Sequence, residues 1–165
     1  MIIVPKSTKK YNRKSIRLNG YDYAQGGLYF ITINTYHNQY LFGEIKNEVM
    51  ILNAPGKMIN AMFSEIENEF EYVIITESVV MPNHVHFIVK IAGKPNNIVS
   101  LGDVIQMFKR YSTVKYIENV KKNNWGRFIG KVWHRNYYEH IIRNEKDYER
   151  IAKYVRENPK NWGRK

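Results

Sequence analysis

Two strand-like runs nearly adjacent in sequence constrain this chain most. Residues 71–80 contain Tyr72-Val-Ile-Ile-Thr76 and Val79-Val80, and His84-Val-His-Phe-Ile-Val-Lys-Ile91 follows after Met81-Pro82-Asn83. β-branched and aromatic residues favour the pleated backbone, and the Pro-Asn pair breaks or turns it. The spacing predicts two antiparallel neighbours in a sheet.

The rest of the chain supplies partners. Leu28 to Tyr36, after Gly26-Gly27, predicts a first, fairly buried strand. Tyr40 to Leu52 predicts a hairpin around Lys46-Asn47-Glu48, with Gly43 as a bulge position. Met58, Ala61, Met62, Ile66, Glu69 and Phe70 recur at helical spacing within 54–70, and Leu101, Val104, Ile105, Phe108 and Tyr111 within 101–116. Residues 92–99 read as a loop and 119–131 as a Gly/Asn-punctuated segment. Residues 132–138 read as extended or looped. A last helix over 145–157 is expected to stop at Asn158-Pro159, because a residue before proline is pushed out of helical geometry. Helices on one face of a largely antiparallel sheet would bury this pattern. The expected class is therefore α+β, a ferredoxin-like split antiparallel sheet with helices packed on one face and an additional β-hairpin.

Hydrophobic residues make up 44% of the 165, enough for a core, and no cysteine is present. Disulfides and thiolate metal sites are thereby excluded. No apolar run approaches the length of a membrane span, so a soluble cytoplasmic protein is expected, without a membrane partner. The 26 lysines and arginines against 15 acids give a net charge of +11, which suits a polyanionic partner without naming it. Residues 1–20 hold Lys6, Lys9, Lys10, Arg13, Lys14 and Arg17 with no acid, and read as a basic arm before one domain over 21–165. A second basic stretch runs from Lys109 to Arg135, opposed only by Asp103 and Glu118 within 101–135.

His84-Val85-His86 is the most informative triplet. Alternation along a strand puts both imidazoles on one face, where they can converge on one ion. An i,i+2 pair on an ordinary strand face is the competing explanation, and a metal would need a further ligand from elsewhere. Imidazoles alone permit zinc, iron, nickel or manganese. Among 13 tyrosines, Tyr154 is distinguished by Asn158 one helical turn later, where the two share a face. Packing of Tyr154 beside Ile151, with Asn158 as a simple terminator, is the alternative, and Tyr111 and Tyr116 are rivals. His134 and His140 are unassigned, with packing, contact with the polyanionic partner or surface exposure as their expected roles, and His37 is unassigned as well.

Three segments together resemble a known family. Val80-Met-Pro-Asn-His-Val-His-Phe-Ile-Val89, Val132-Trp-His-Arg-Asn-Tyr-Tyr-Glu-His-Ile-Ile-Arg-Asn144 and Asp147-Tyr-Glu-Arg-Ile-Ala-Lys-Tyr-Val-Arg-Glu-Asn-Pro159 occur in order and resemble the IS200-like transposases, in particular the REP-associated tyrosine transposases. The resemblance covers most of residues 20–162, and the triplet itself resembles the His-hydrophobic-His motif of single-strand endonucleases. It implies a ferredoxin-like or RNA-recognition-like α+β core, His84 and His86 as metal ligands completed by Asn158, and Tyr154 as nucleophile. It further implies Mg2+ or Mn2+ as cofactor, and as partner single-stranded DNA with a hairpin or repetitive palindromic element. The implied activity is cleavage and rejoining through a 5′-phosphotyrosine. Lys109 and Arg110 then become expected phosphate contacts, with Arg13, Lys14, Arg17 and Arg135 as further DNA contacts. A monomer is the expected state, a dimer the alternative, and a nucleoid association follows from the DNA partner. Two other functions fit the same residues: a noncatalytic binder of single-stranded or hairpin nucleic acid, and a metal-dependent nuclease without a tyrosine adduct. A basic partner-binding domain is the blandest option.

Overall fold

A computed structural model describes residues 26–93 and 99–163. The N-terminal arm, with Arg13, Lys14 and Arg17, lies outside the described residues.

The elements follow the order β1 (Gly27–Asn34), β2 (Gly43–Lys46), β3 (Val49–Leu52), α1 (Ala54–Glu69), β4 (Val73–Met81), β5 (His84–Ile91), α2 (Leu101–Lys122), β6 (Tyr138–Ile142) and α3 (Glu145–Arg156). Strands β4, β5, β1 and β6 lie side by side in that order, and every pairing is antiparallel. With β2 and β3 set apart as a separate hairpin, the remaining connectivity is that of a split β-α-β sheet, as expected. Asn47 and Glu48 both take positive φ, so the hairpin closes through a two-residue turn whose hand matches strand twist. The Pro82-Asn83 turn joins β4 to β5 and pairs Met81 with His84.

Alternation sorts the sheet into two faces. Tyr29, Ile31 and Ile33 of β1 and Val85, Phe87 and Val89 of β5 are fully buried, and pack with α1 and α2 in the main core. The buried stripe of α1 is Ile59, Met62, Phe63 and Ile66, whereas Ala61, expected on that stripe, is exposed. Asn53 caps α1 by accepting from the Gly56 amide, and Ser100 with Asp103 forms a capping box on α2. Helix α2 runs past its expected end at Tyr116 as far as Lys122, with Tyr116 in the core.

The other face carries Phe30, Thr32, His84, His86 and Ile88. Helix α3 lies across it, burying Ile151, Ala152 and Val155 against Phe30, Ile88 and Ile142. So α1 and α2 share one face as expected, and α3 covers the opposite one. Its apolar residues at 148, 151, 152 and 155 recur at i, i+3, i+4 and i+7 and need a second apolar surface. Strand β6 was not expected. It is five residues long and sets the polar pair Glu139-His140 beside Ile141-Ile142 with no alternation, so its pairing with β1 defines it.

Candidate active site

The register of β1, β5 and β6 sets the site. Thr32 lies opposite His86, and Asn34 opposite His84, while Phe30 lies between Ile88 and His140. All of these point to the face that α3 only partly covers. The uncovered end is a cleft of about 930 Å³ lined by His84, His86, Tyr154 and Asn158 among others.

The two imidazoles converge as the strand alternation predicts. Their Nε2 atoms are 3.0 Å apart. Two ligands at right angles around an ion, each at about 2.1 Å, are separated by about 3 Å, so the pair fits a shared divalent cation. The far nitrogens are held. His84 Nδ1 bonds Asn83 Oδ1 at 2.7 Å, and His86 Nδ1 bonds Thr32 Oγ1 at 2.7 Å. An amide oxygen only accepts, so His84 donates from Nδ1 and presents a lone pair at Nε2. Such outer partners fix ring orientation and tautomer in metal sites. His86 is 4% exposed and stacks on Phe30, with ring centroids 5.4 Å apart. His84 stacks on Trp162 at 5.8 Å, and Trp162 meets Tyr40 edge-on. Among the described residues no group of three or more His, Asp or Glu side chains gathers around one point.

Tyr154 approaches this pair from α3. Its hydroxyl is 3.5 Å from His86 Nε2. Its ring stands edge-on to Phe30 at 5.9 Å and to His86 at 5.3 Å, yet the residue is 42% exposed. The phenol is thus fixed in direction and open to a large substrate. Asn158 lies just beyond the end of α3 but keeps helical angles (φ −57°, ψ −43°), so it still follows Tyr154 by one turn. It is buried and lines the same cleft.

The rival tyrosines fall elsewhere. Tyr111 and Tyr116 belong to α2, on the opposite face of the sheet. The Tyr116 hydroxyl donates to the Gly126 carbonyl, and burial raises its pKa.

Of the described residues expected to meet DNA, Lys109, Arg110 and Arg135 do not line the cleft. Lys109 Nζ donates to the carbonyls of His134, Arg135 and Asn136 at 3.0, 3.0 and 3.3 Å. Those three acceptors match its three hydrogens, and burial lowers its pKa to about 8. It clamps the loop that leads into β6. Arg110 and Arg135 are exposed, with the Arg110 guanidinium over the Tyr111 ring.

Several cleft residues were not singled out from the sequence. Asn83 directly precedes His84 and could have been suspected as its orienting partner. Thr32 could not, because only the β1–β5 register brings it to His86. His140 also lines the cleft, and its Nε2 bonds Asp147 Oδ2 at 2.8 Å.

Comparison with known proteins places the chain in a family. The model of the family described as IS200-like transposase matches residues 25–158. An uncharacterized protein of Haemophilus influenzae is 38% identical, over 94% of this chain and 95% of its own length. A second protein of that organism, described as a candidate REP-associated tyrosine transposase, is 24% identical over 86% of this chain and 75% of its own length. Among solved structures, a REP-associated tyrosine transposase bound to a REP hairpin superposes with a TM-score of 0.64 at 21% identity, covering 90% of this chain and 75% of that one. A candidate transposase of Deinococcus radiodurans gives 0.50 at 16% identity, covering 85% and 95%. With the matched segment spanning nearly all of the described fold, this chain belongs to the IS200-like transposase family and is similar to its REP-associated tyrosine transposases.

Proposed function

We propose that this chain cuts and rejoins single-stranded DNA beside a hairpin or repetitive palindromic element, through a 5′-phosphotyrosine on Tyr154. The observation that carries the reading is the Tyr154 hydroxyl 3.5 Å from His86 Nε2, itself 3.0 Å from His84 Nε2. His84, His86 and Asn158 would hold Mg2+ or Mn2+. When bound, the ion supplies a Lewis acid that polarises the scissile phosphate.

The chain's own groups account for the rest. Thr32 and Asn83 keep both imidazoles aimed into the cleft. Phe30 and His86 fix the Tyr154 ring, which leaves the hydroxyl pointing at incoming phosphate. A phenol has an ordinary pKa of about 10, so its proton must leave as the oxygen attacks. The Tyr154 Oη–P bond forms, the P–O3′ bond breaks, and the departing 3′-oxygen takes up a proton. One phosphodiester replaces another of similar energy, so a 3′-hydroxyl can reverse the step and join strands without ATP. A duplex would obstruct the approach, whereas a single strand can lay its backbone into the cleft. All the proposed groups come from one chain, which supports a monomer as the working unit. Arg110 and Arg135 are proposed DNA contacts, as are Arg13, Lys14 and Arg17. Lys109 would reach a phosphate only by leaving its carbonyls.

Hairpin-flanked oligonucleotides labelled at either end, incubated with Mg2+ or Mn2+ and run on denaturing gels, test this. The 3′-labelled fragment is expected to migrate with the protein and the 5′-labelled fragment to run free. Both fragments running free would indicate a hydrolytic nuclease. Binding without a cut would indicate a noncatalytic binder.

A further inference from the structure

Among the described residues, seventeen line the proposed catalytic cleft, and none of these is an aspartate or glutamate. One carries a permanent charge: Arg150. It precedes Tyr154 by one turn of α3, which places their Cβ atoms about 5–6 Å apart on one face of the helix. Its side chain is 68% exposed and so open to ligand.

The guanidinium is nonetheless aimed. Arg150 Nη2 bonds Asp147 Oδ1 at 2.5 Å. The other oxygen of Asp147 bonds His140 Nε2 on β6 at 2.8 Å, and the Asp147 amide donates to Asn144, the cap of α3. Asp147 is thereby tied to the sheet and to the helix start at once. A surface ion pair spaced i,i+3 contributes little stability by itself. An ion pair anchored at its acidic end restrains the arginine and leaves most of its five N–H donors unspent.

We propose that Arg150 is a phosphate-binding residue for the nucleotide next to the scissile one, with Asp147 and His140 as its positioning residues. This rests on the strand-cleavage reading above and names the substrate contact that reading lacks. A strand crossing the cleft with one phosphate at Tyr154 brings a neighbouring phosphate alongside the preceding helical turn. The planar fork of arginine matches two phosphate oxygens, and the Asp147 carboxylate engages the guanidinium through one nitrogen without itself lining the cleft. Fixing the adjacent nucleotide also limits how far the reacting phosphate can wander from the phenol.

The test is a scan in which each phosphate flanking the cleavage position is replaced in turn by a neutral methylphosphonate. Affinity is measured with Tyr154→Phe, and adduct yield with the otherwise unaltered protein. One position is expected to weaken binding by about tenfold, and in Arg150→Ala that same position is expected to lose its effect. Asp147→Asn is expected to reduce the sensitivity at that position, while Asp147→Glu restores it. Circular dichroism and thermal unfolding confirm that each variant is folded. If every position retains its full effect in Arg150→Ala, the assignment is overturned. Affinity is read without chemistry, so a chain that binds but never forms the adduct still tests Arg150, while refuting phosphotyrosine catalysis. A chain that binds no single strand overturns both.

Discussion

His86 shows how much a single hydrogen bond can govern. Its Nδ1 is held by Thr32 Oγ1 at 2.7 Å, and that contact is what aims Nε2 at its neighbour. Thr32→Val removes the hydroxyl at nearly constant shape. It is expected to raise the metal concentration needed for half-maximal adduct formation by about 10–100-fold, the usual effect of losing an outer partner in a metal site. An unchanged metal titration would show that the ring is fixed by packing on Phe30 alone. Asp147 carries a second residue-scale prediction. Its hydrogen bond to His140, and then that to Arg150, lower its pKa in the folded state. The folded protein therefore favours the carboxylate, and the resulting stability is complete above the ordinary carboxylate pKa. It declines as pH falls through that value toward the lower folded one. The unfolding free-energy difference between the unaltered protein and Asp147→Asn is expected to be present at neutral pH and to shrink below about pH 4. A difference independent of pH would deny the linkage.

Among the elements, the loop 132–137 has the most to hold. It leaves the core at Trp133, returns as β6, and so fixes the strand that presents His140. Trp133 Nε1 donates to Ser112 Oγ at 2.8 Å in the core, and Ser112 in turn donates to the Phe108 carbonyl at 2.5 Å. Ser112→Ala leaves the indole N–H buried without that acceptor, which costs about 1–3 kcal/mol by denaturant unfolding. A loss below about 0.5 kcal/mol would mean that the indole finds another acceptor. The same loop marks the limit of what could be read from the residues. Runs such as Val85 to Ile91 are apolar enough to declare themselves strands in isolation. Tyr138-Glu-His-Ile-Ile142 is not, because Glu139 and His140 belong to a strand only once β1 is beside them. The α3 helix declared its length through its proline stop, whereas its place on the face opposite α1 and α2 follows from packing against Phe30, Ile88 and Ile142.

At the scale of the molecule, the His pair was legible because alternation alone puts two imidazoles on one face. Tyr154 was legible only through family resemblance, since residue spacing left Tyr111 and Tyr116 as rivals. The fold separates them by the thickness of a sheet: α2 packs behind β5, and α3 in front. The remaining site groups, Thr32, His140, Asp147 and Arg150, meet across strand pairings and helix packing that no local pattern encodes. The charge distribution was legible in part. Lys109 and Arg110 were expected to contact phosphate; among the described residues Arg150 is the arginine lining the cleft, while Lys109 holds a loop. Everything mechanistic depends on the phenol of α3 reacting beside the imidazoles of β5. The most direct measurement is protease digestion and mass spectrometry of the protein after reaction with single-stranded DNA and Mn2+, run in parallel with Tyr154→Phe. The account predicts a nucleotide adduct on the Tyr154 peptide and none in the variant. An adduct on another tyrosine, or an equal yield from Tyr154→Phe, would contradict it.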